Sequence, residues 1–174
     1  MKQEKQVLSL GTVLQLLIFV VGVPLLPLLI SGQWGWWEAW IYAGINILGF
    51  AVSRILAGRN HPDLLQELAR AFQHQDAAAW DKLLSPLLAL GGAVLPLTAG
   101  LDARFNGSGG YELFLTLIGL GTILAGYLLG SWALITNRFF SGMVRIQHDR
   151  DHQVVSTGPY RWVRHPGYLG VLLT

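Results

Sequence analysis

The chain has 174 residues, of which 52% are hydrophobic and 13% are charged, and it carries a net charge of +2 without any cysteine. Soluble globular domains have about 25% charged residues. The composition therefore excludes an ordinary soluble domain and predicts one membrane domain over residues 1–174. The lack of cysteine excludes disulfides, thiolate metal ligands and a cysteine nucleophile.

Four apolar segments predict membrane-spanning helices, because a helix needs about 20 apolar residues to cross the hydrocarbon core. The second is uncharged only between Glu38 and Arg54, but Arg54 can extend its stem toward the headgroups and let the helix continue. We predict an all-α, multi-pass integral membrane helical bundle with four full spans and the start of a fifth. The spans are predicted at residues 7–31, 37–58, 83–101 and 113–137. Pro24 and Pro27 are expected to kink or end the first helix.

A polar segment, residues 60–80, separates the second and third predicted spans. Apolar residues recur in it at helical spacing, at Leu64, Leu65, Leu68 and Phe72. Pro62 and Asp63 suit the first turn of a helix, where proline loses no hydrogen bond and an acid meets the helix dipole. We predict a cytoplasmic amphipathic helix that either lies on the membrane or links the two spans.

The basic residues lie almost entirely on one side of this predicted topology. Eleven of the twelve lysines and arginines fall before the first span, between the second and third, or after the fourth, and only Arg104 falls opposite. Cytoplasmic loops retain such residues. We therefore predict a cytoplasmic N-terminus and a cytoplasmic C-terminal segment, in a protein of the bacterial inner membrane.

Polar residues inside the predicted spans are few, chiefly Gln15, Asn46, Thr116 and Thr122. We predict that each makes a contact between helices, which does not favour a transporter. Gly126 and Gly130 form a pair of small residues four apart, which lets helix backbones approach closely in lipid.

The segment after the fourth span is much denser in polar and aromatic residues. It contains a series of spaced residues, Gln147, His152, Val154, Val155, Gly158, Tyr160, Arg164, His165, Pro166, Tyr168 and Gly170. In this order they resemble the isoprenylcysteine carboxyl methyltransferase family and its relatives among membrane phospholipid methyltransferases. The hairpin of two spans, the cytoplasmic helix and the two further spans also resemble bacterial members of that family.

The resemblance implies that residues 138–170 are a cytoplasmic segment that binds S-adenosylmethionine. The implied cofactor contacts are Gln147, His152, Gln153, Val154, Val155, Tyr160, His165, Pro166, Gly167 and Tyr168. Tyr160 and Tyr168 suit a sulfonium, because aromatic faces attract cations. Gly158 and Pro159 are expected to form a turn, and Pro166 the first turn of the fifth helix.

Arg164 and His165 are the candidate catalytic residues. Arg164 suits the orientation of an acceptor carboxylate or phosphate. A carboxylate acceptor needs no general base, whereas His165 is the natural base for an amine. The implied acceptor is lipid-like or prenylated and enters from the bilayer, and carboxyl O-methylation of an isoprenylcysteine-type substrate fits best.

No metal or nucleic acid is expected among the partners. His148 and His152 are four residues apart, but the intervening Asp149, Arg150 and Asp151 are typical of a solvated loop.

Two alternatives remain open. Membrane sterol reductases share the Arg-His-Pro-x-Tyr-x-Gly element and bind NADPH, although Tyr160, Val163 and Gly167 depart from their usual pattern. The sequence stops at Thr174, so the C-terminal part of the family domain is expected to be missing. We expect the chain to be either a fragment of a longer protein or an inactive truncated membrane protein, and we expect this form to bind cofactor weakly and to turn over little.

Overall fold

The computed structural model describes residues 10–69, 78–107, 112–142, 144 and 147–174, and their regular structure is entirely helical. The first apolar segment forms α1 (Leu10–Leu17), a π-helical segment (Ile18–Gly22) and α2 (Val23–Ser31). Pro24 has no N–H to donate, and the widened turn directly before it shifts the hydrogen-bond ladder by one residue. The helix therefore continues past both prolines, and it ends where Gly32 adopts a φ of 70°.

Two further helices are long enough to cross a membrane. These are α3 (Trp37–Asn60) and α7 (Leu113–Thr136), each of 24 residues. With Val13–Ser31 they make three candidate spans within the described residues. The predicted spans 37–58 and 113–137 are therefore confirmed as long apolar helices, as is the described part of 7–31.

The segment predicted as the third span is broken into two helices. These are α5 (Asp81–Gly91) and α6 (Val94–Phe105). Gly92 lies between them, and Pro96 has no N–H to bond to the Gly92 carbonyl, so the ladder is interrupted there. The predicted span over 83–101 is therefore two helices and not one, and four full spans are not established.

The amphipathic segment begins as α4 (Pro62–Ala69), with Pro62 and Asp63 in its first turn as predicted. Residues 70–77 of that prediction lie outside the described residues. Leu64 is fully buried with Ala57 of α3 and Leu134 of α7. The described part of α4 therefore packs its apolar side on protein and links α3 to the C-terminal segment.

Among the described helices, α7 packs against α3 and α8 (Pro166–Leu173), whereas α2 packs against α3 and α6. The side chain of Tyr127 donates a hydrogen bond to Asn46 of α3 at 2.9 Å, which confirms the predicted helix–helix role of Asn46. Thr122 differs, because its hydroxyl donates to Ile118 O within α7. On another side of α7, α8 runs antiparallel to it, and a Cβ on Gly126 would lie 2.6 Å from Gly170 O.

The bundle has two ends, and hydrogen bonds join the helices at the first of them. At the first end, Gln33 Nε2 donates to Ala103 O at 2.8 Å and Arg104 donates to Ile30 O at 2.9 Å. The second end carries α4, the beginning of α5 and the segment that follows α7, of which residues 138–142, 144 and 147–166 are described. We call this second end the motif end.

Candidate functional site

Tyr160 attaches the motif end to the last turn of α7. Its hydroxyl accepts a hydrogen bond from Asn137 Nδ2 at 3.2 Å and donates to Ala133 O at 3.4 Å. Burial raises the pKa of Tyr160, and the Asn137 hydrogen bond partly offsets this rise. The hydroxyl is therefore neutral and engaged by protein, while the ring is half-buried.

The predicted turn at Gly158 is present as a short 3₁₀ helix, Gly158–Arg161. Gly158 has a φ of 56°, and a Cβ there would lie 2.8 Å from Thr136 Oγ1. Trp162, which follows the turn, packs edge-on against Trp132 of α7 with 5.6 Å between ring centroids. Glycine is thus required at position 158 both by backbone conformation and by the approach to α7.

His165 and Tyr168 form an exposed pair at the beginning of α8. Their rings stack with centroids 5.4 Å apart and planes 20° apart. Pro166 is buried in the first turn, as predicted, and a Cβ on Gly167 would lie 3.0 Å from the ring of Phe140. Arg164, directly before the pair, is exposed.

Gln147 lies inside the protein, with only 1% of the residue exposed. Its side-chain nitrogen donates to Phe139 O at 2.7 Å, and its side-chain oxygen accepts from Arg150 at 2.6 Å. Both ends of the amide therefore contact protein. This arrangement makes Gln147 a support for the loop rather than an open ligand contact.

His152 lies on this support and is exposed. Its ring stacks on Phe139 at 5.0 Å, and its Nδ1 accepts a hydrogen bond from the Gln147 backbone N–H at 3.4 Å. Gln153 and Val154 follow as exposed residues, and Val155 is half-buried. His152 stacks on Phe139, and Gly167 lies against Phe140. These two adjacent phenylalanines therefore connect the loop around His152 with the beginning of α8.

An ion-pair cluster that the sequence did not reveal holds this loop. Asp63 Oδ2 lies 2.7 Å from Arg150 and 3.1 Å from Arg138. Burial alone would raise the pKa of Asp63, but the hydrogen bonds from Arg150 and Arg138 outweigh it and hold the pKa at about 2. The side chain of Arg150 is only 11% exposed, so the prediction that it belongs to a solvated loop is wrong.

A second carboxylate fixes the loop from α5. Asp81 is buried, and its Oδ2 accepts a hydrogen bond from the Val144 backbone N–H. Ala78 N donates to Val144 O at 3.0 Å on the same side. The sequence contains no local signal for these contacts, because they join positions more than 60 residues apart.

The structure thus separates the predicted site residues into two sets at the motif end. The engaged or buried set is Gln147, Tyr160 and Pro166. The set that is at least partly accessible is His152, Gln153, Val154, Val155, Arg164, His165, Gly167 and Tyr168. Among the described residues no group of three or more histidines and acids could hold a metal ion.

Comparisons with known proteins match this same part of the chain. The model of the isoprenylcysteine carboxyl methyltransferase family matches residues 117–174. A probable protein-S-isoprenylcysteine O-methyltransferase of Oryza sativa subsp. indica is 34% identical over 61 residues, which are 34% of this chain and 32% of that protein. Protein-S-isoprenylcysteine O-methyltransferase B of Arabidopsis thaliana is 38% identical over 56 residues, which are 32% of this chain and 28% of that protein.

The matched segment spans about a third of the length of these curated relatives. No solved structure matches the chain significantly.

Proposed function

We propose, from the premise that residues 117–174 belong to the isoprenylcysteine carboxyl methyltransferase family, that this protein binds S-adenosylmethionine at the motif end. The proposed reaction is methyl transfer to a lipid-like acceptor, and the acceptor group is the carboxylate of an isoprenylcysteine-type molecule. The observation that carries the proposal is the exposed His165–Tyr168 stack at the beginning of α8, inside the matched segment.

The accessible side chains fit this cofactor chemically. A sulfonium is a cation, and an aromatic face attracts a cation by about 0.5–2 kcal/mol. Tyr168 is 63% exposed, so its ring is open to such a ligand. The N-terminal turn of α8 also presents backbone N–H groups, which favour an anionic part of a ligand.

The proposed roles follow from exposure and contacts. The cofactor site is formed by the residues that are at least partly accessible, His152, Gln153, Val154, Val155, His165, Gly167 and Tyr168. The buried Pro166 begins α8 beside them. Gln147 and Tyr160 hold its backbone in place, since their polar groups already bond to protein. S-Adenosylmethionine supplies the methyl group when it is bound.

Arg164 orients the acceptor carboxylate, because an exposed guanidinium can make two parallel hydrogen bonds to it. A carboxylate is already ionised near neutral pH, so this chain needs to supply position and exclusion of water rather than a base. His165 would act as a general base only for an amine acceptor.

The membrane arrangement belongs to the same proposal. We propose that α5 and α6 together make the third of four crossings in chain order, with the break at Gly92 inside it, and that the motif end faces the cytoplasm. The ion pairs between α4 and the loop after α7 support one common side for both segments. The acceptor would then reach the site laterally from the bilayer.

Titration of the purified chain with S-adenosylmethionine and, separately, with NADPH tests the cofactor. We expect saturable binding of S-adenosylmethionine at concentrations up to the millimolar range, displaced by S-adenosylhomocysteine. Binding of NADPH in its place would favour the reductase alternative and contradict the proposal. A Tyr168→Ala variant should lose affinity, whereas Phe105→Ala, an exposed aromatic change at the first end, should keep it.

A further inference from the structure

Asp63, which lies outside the matched segment, makes charged contacts with the motif end. Asp63 lies in the first turn of α4, and the family match begins only at residue 117. Its carboxylate is the meeting point of Arg138 and Arg150, which both contact the same oxygen, Oδ2. A residue of the N-terminal half therefore lies directly against the loop that carries the site.

Arg150 connects Asp63 to the buried Gln147. One guanidinium nitrogen donates both to Asp63 and to Arg138 O at 2.7 Å, and the other donates to the Gln147 side-chain oxygen at 2.6 Å. The guanidinium also lies 5.8 Å from the Phe139 ring centroid. Because both terminal guanidinium nitrogens donate hydrogen bonds, these contacts fix the orientation of Arg150.

Gln147 and Phe139 complete the connection to His152. Gln147 donates to Phe139 O, and its backbone N–H donates to His152 Nδ1. Phe139 in turn stacks on the His152 ring. An uninterrupted series of contacts therefore leads from Asp63 through Arg150 and Gln147 to His152.

We propose that Asp63 is a positioning residue for the His152 part of the site, acting through Arg150 and Gln147. This inference rests on the proposed function for its effect on cofactor binding. Removal of the carboxylate leaves two guanidinium groups close together without their shared counter-charge. Their repulsion moves Arg150 away from Gln147 and releases His152 from Phe139. Glu67, one turn further along α4, accepts a hydrogen bond from the Ser141 hydroxyl at 3.4 Å.

Asp63→Asn, which keeps the side-chain size and removes the charge, tests this proposal. Two measurements are made on the full chain in detergent: the dissociation constant for S-adenosylmethionine, and the NMR signal of the isotope-labelled His152 ring, assigned with a His152→Gln variant. We expect roughly tenfold weaker binding, the usual scale for a lost hydrogen bond to a charged group. The His152 signal should also lose the ring-current shift from Phe139.

Asp102→Asn is the matched control, since Asp102 also accepts a side-chain hydrogen bond, from Asn106, but at the first end. It should change neither measurement. Asp63→Glu keeps the charge and should restore much of the affinity lost in Asp63→Asn.

Unchanged affinity and an unchanged His152 signal in Asp63→Asn would overturn the proposal. If that variant does not fold, Arg150→Lys decides, because a single ammonium replaces the two nitrogens that contact Gln147 and Asp63: an unchanged affinity and an unchanged His152 signal in Arg150→Lys overturn the proposal. If the parent chain binds no S-adenosylmethionine, the proposed function fails, while the His152 signal still tests the positioning role.

Discussion

At position 158, backbone conformation and packing both require glycine. Its φ is 56°, and its missing Cβ leaves room for Thr136. We expect Gly158→Ala to destabilise the protein by about 2 kcal/mol or more, since left-handed alanine costs about 1–2 kcal/mol before any clash. Thermal unfolding in detergent measures this change.

Gly32→Ala is the matched control for Gly158→Ala. Gly32 also has a positive φ, of 70°, but a Cβ there would meet nothing within 4 Å. Gly32→Ala should therefore cost only the free energy of placing alanine in a left-handed conformation. Equal destabilisation by the two substitutions would show that the approach of Gly158 to Thr136 contributes nothing.

The pKa of Asp63 predicts an acid dependence of the contact between α4 and the loop after α7. Its pKa is lowered from 3.8 to about 2 in the folded chain, so the folded state favours the charged form. The stabilisation is present above pH 3.8 and disappears as the pH falls towards 2. Hydrogen exchange in the loop should rise over that interval in the parent chain and not in Asp63→Asn. A rise of equal size in both proteins would contradict this assignment.

Some of these residue roles could be predicted from the sequence, and others could not. The turn at Gly158 and the helix start at Pro166 have local signals, because glycine and proline restrict the backbone themselves. The pairing of Asp63 with Arg150 has none, since 87 residues separate them and only the packing of α4 on α7 brings them together. Gln147 was recognised as a site residue, but its burial follows from that same packing.

At the level of elements, the contact between α7 and α8 depends on Gly126. A Cβ there would approach Gly170 O to 2.6 Å, whereas a Cβ on Gly130 would meet nothing within 4 Å. We expect Gly126→Ala to displace α8 and destabilise the fold by about 1–3 kcal/mol, the usual cost of overpacking. Gly130→Ala should stay within about 0.5 kcal/mol of the parent chain. Equilibrium unfolding in detergent compares them, and the reverse order would contradict the packing described.

The hydrogen bond from Tyr127 to Asn46 joins α3 to α7 inside the apolar region. Tyr127→Phe should destabilise the pair by about 0.6 kcal/mol and by less than about 1.7 kcal/mol, the range for such bonds between membrane helices. Thr122→Val is the control, because that hydroxyl bonds only within α7 among the described contacts. A larger loss in Thr122→Val would be evidence against the α3–α7 bond as a stabilising contact.

The elements differ in how well composition predicts them. For α3 and α7 a long apolar run is sufficient, because in lipid the helix is the one structure that satisfies every backbone group. A long apolar run is not sufficient to predict the helix at 83–101. Average hydropathy does not detect that Gly92 and Pro96 interrupt the hydrogen-bond ladder there. For α4, the apolar spacing predicts a helix, but whether its leucines meet lipid or protein depends on the ends of α3 and α7.

For the whole molecule, the two ends of the bundle should face opposite sides of the membrane. The chain has no cysteine, so a single introduced cysteine can be labelled without background. We expect a membrane-impermeant maleimide applied to intact cells to label Gly35→Cys at the first end and not Arg161→Cys at the motif end. Labelling at position 161 alone would reverse the proposed orientation, and labelling at both would contradict the membrane arrangement.

The central claim is that the methyl donor binds at the motif end. Ultraviolet cross-linking of radiolabelled S-adenosylmethionine to the intact purified chain, followed by peptide mapping, tests it most directly. We predict label in peptides covering residues 147–168, suppressed by excess S-adenosylhomocysteine and not by NADPH. Label confined to peptides of α2, α3 or α6, or incorporation that S-adenosylhomocysteine does not suppress, would contradict it.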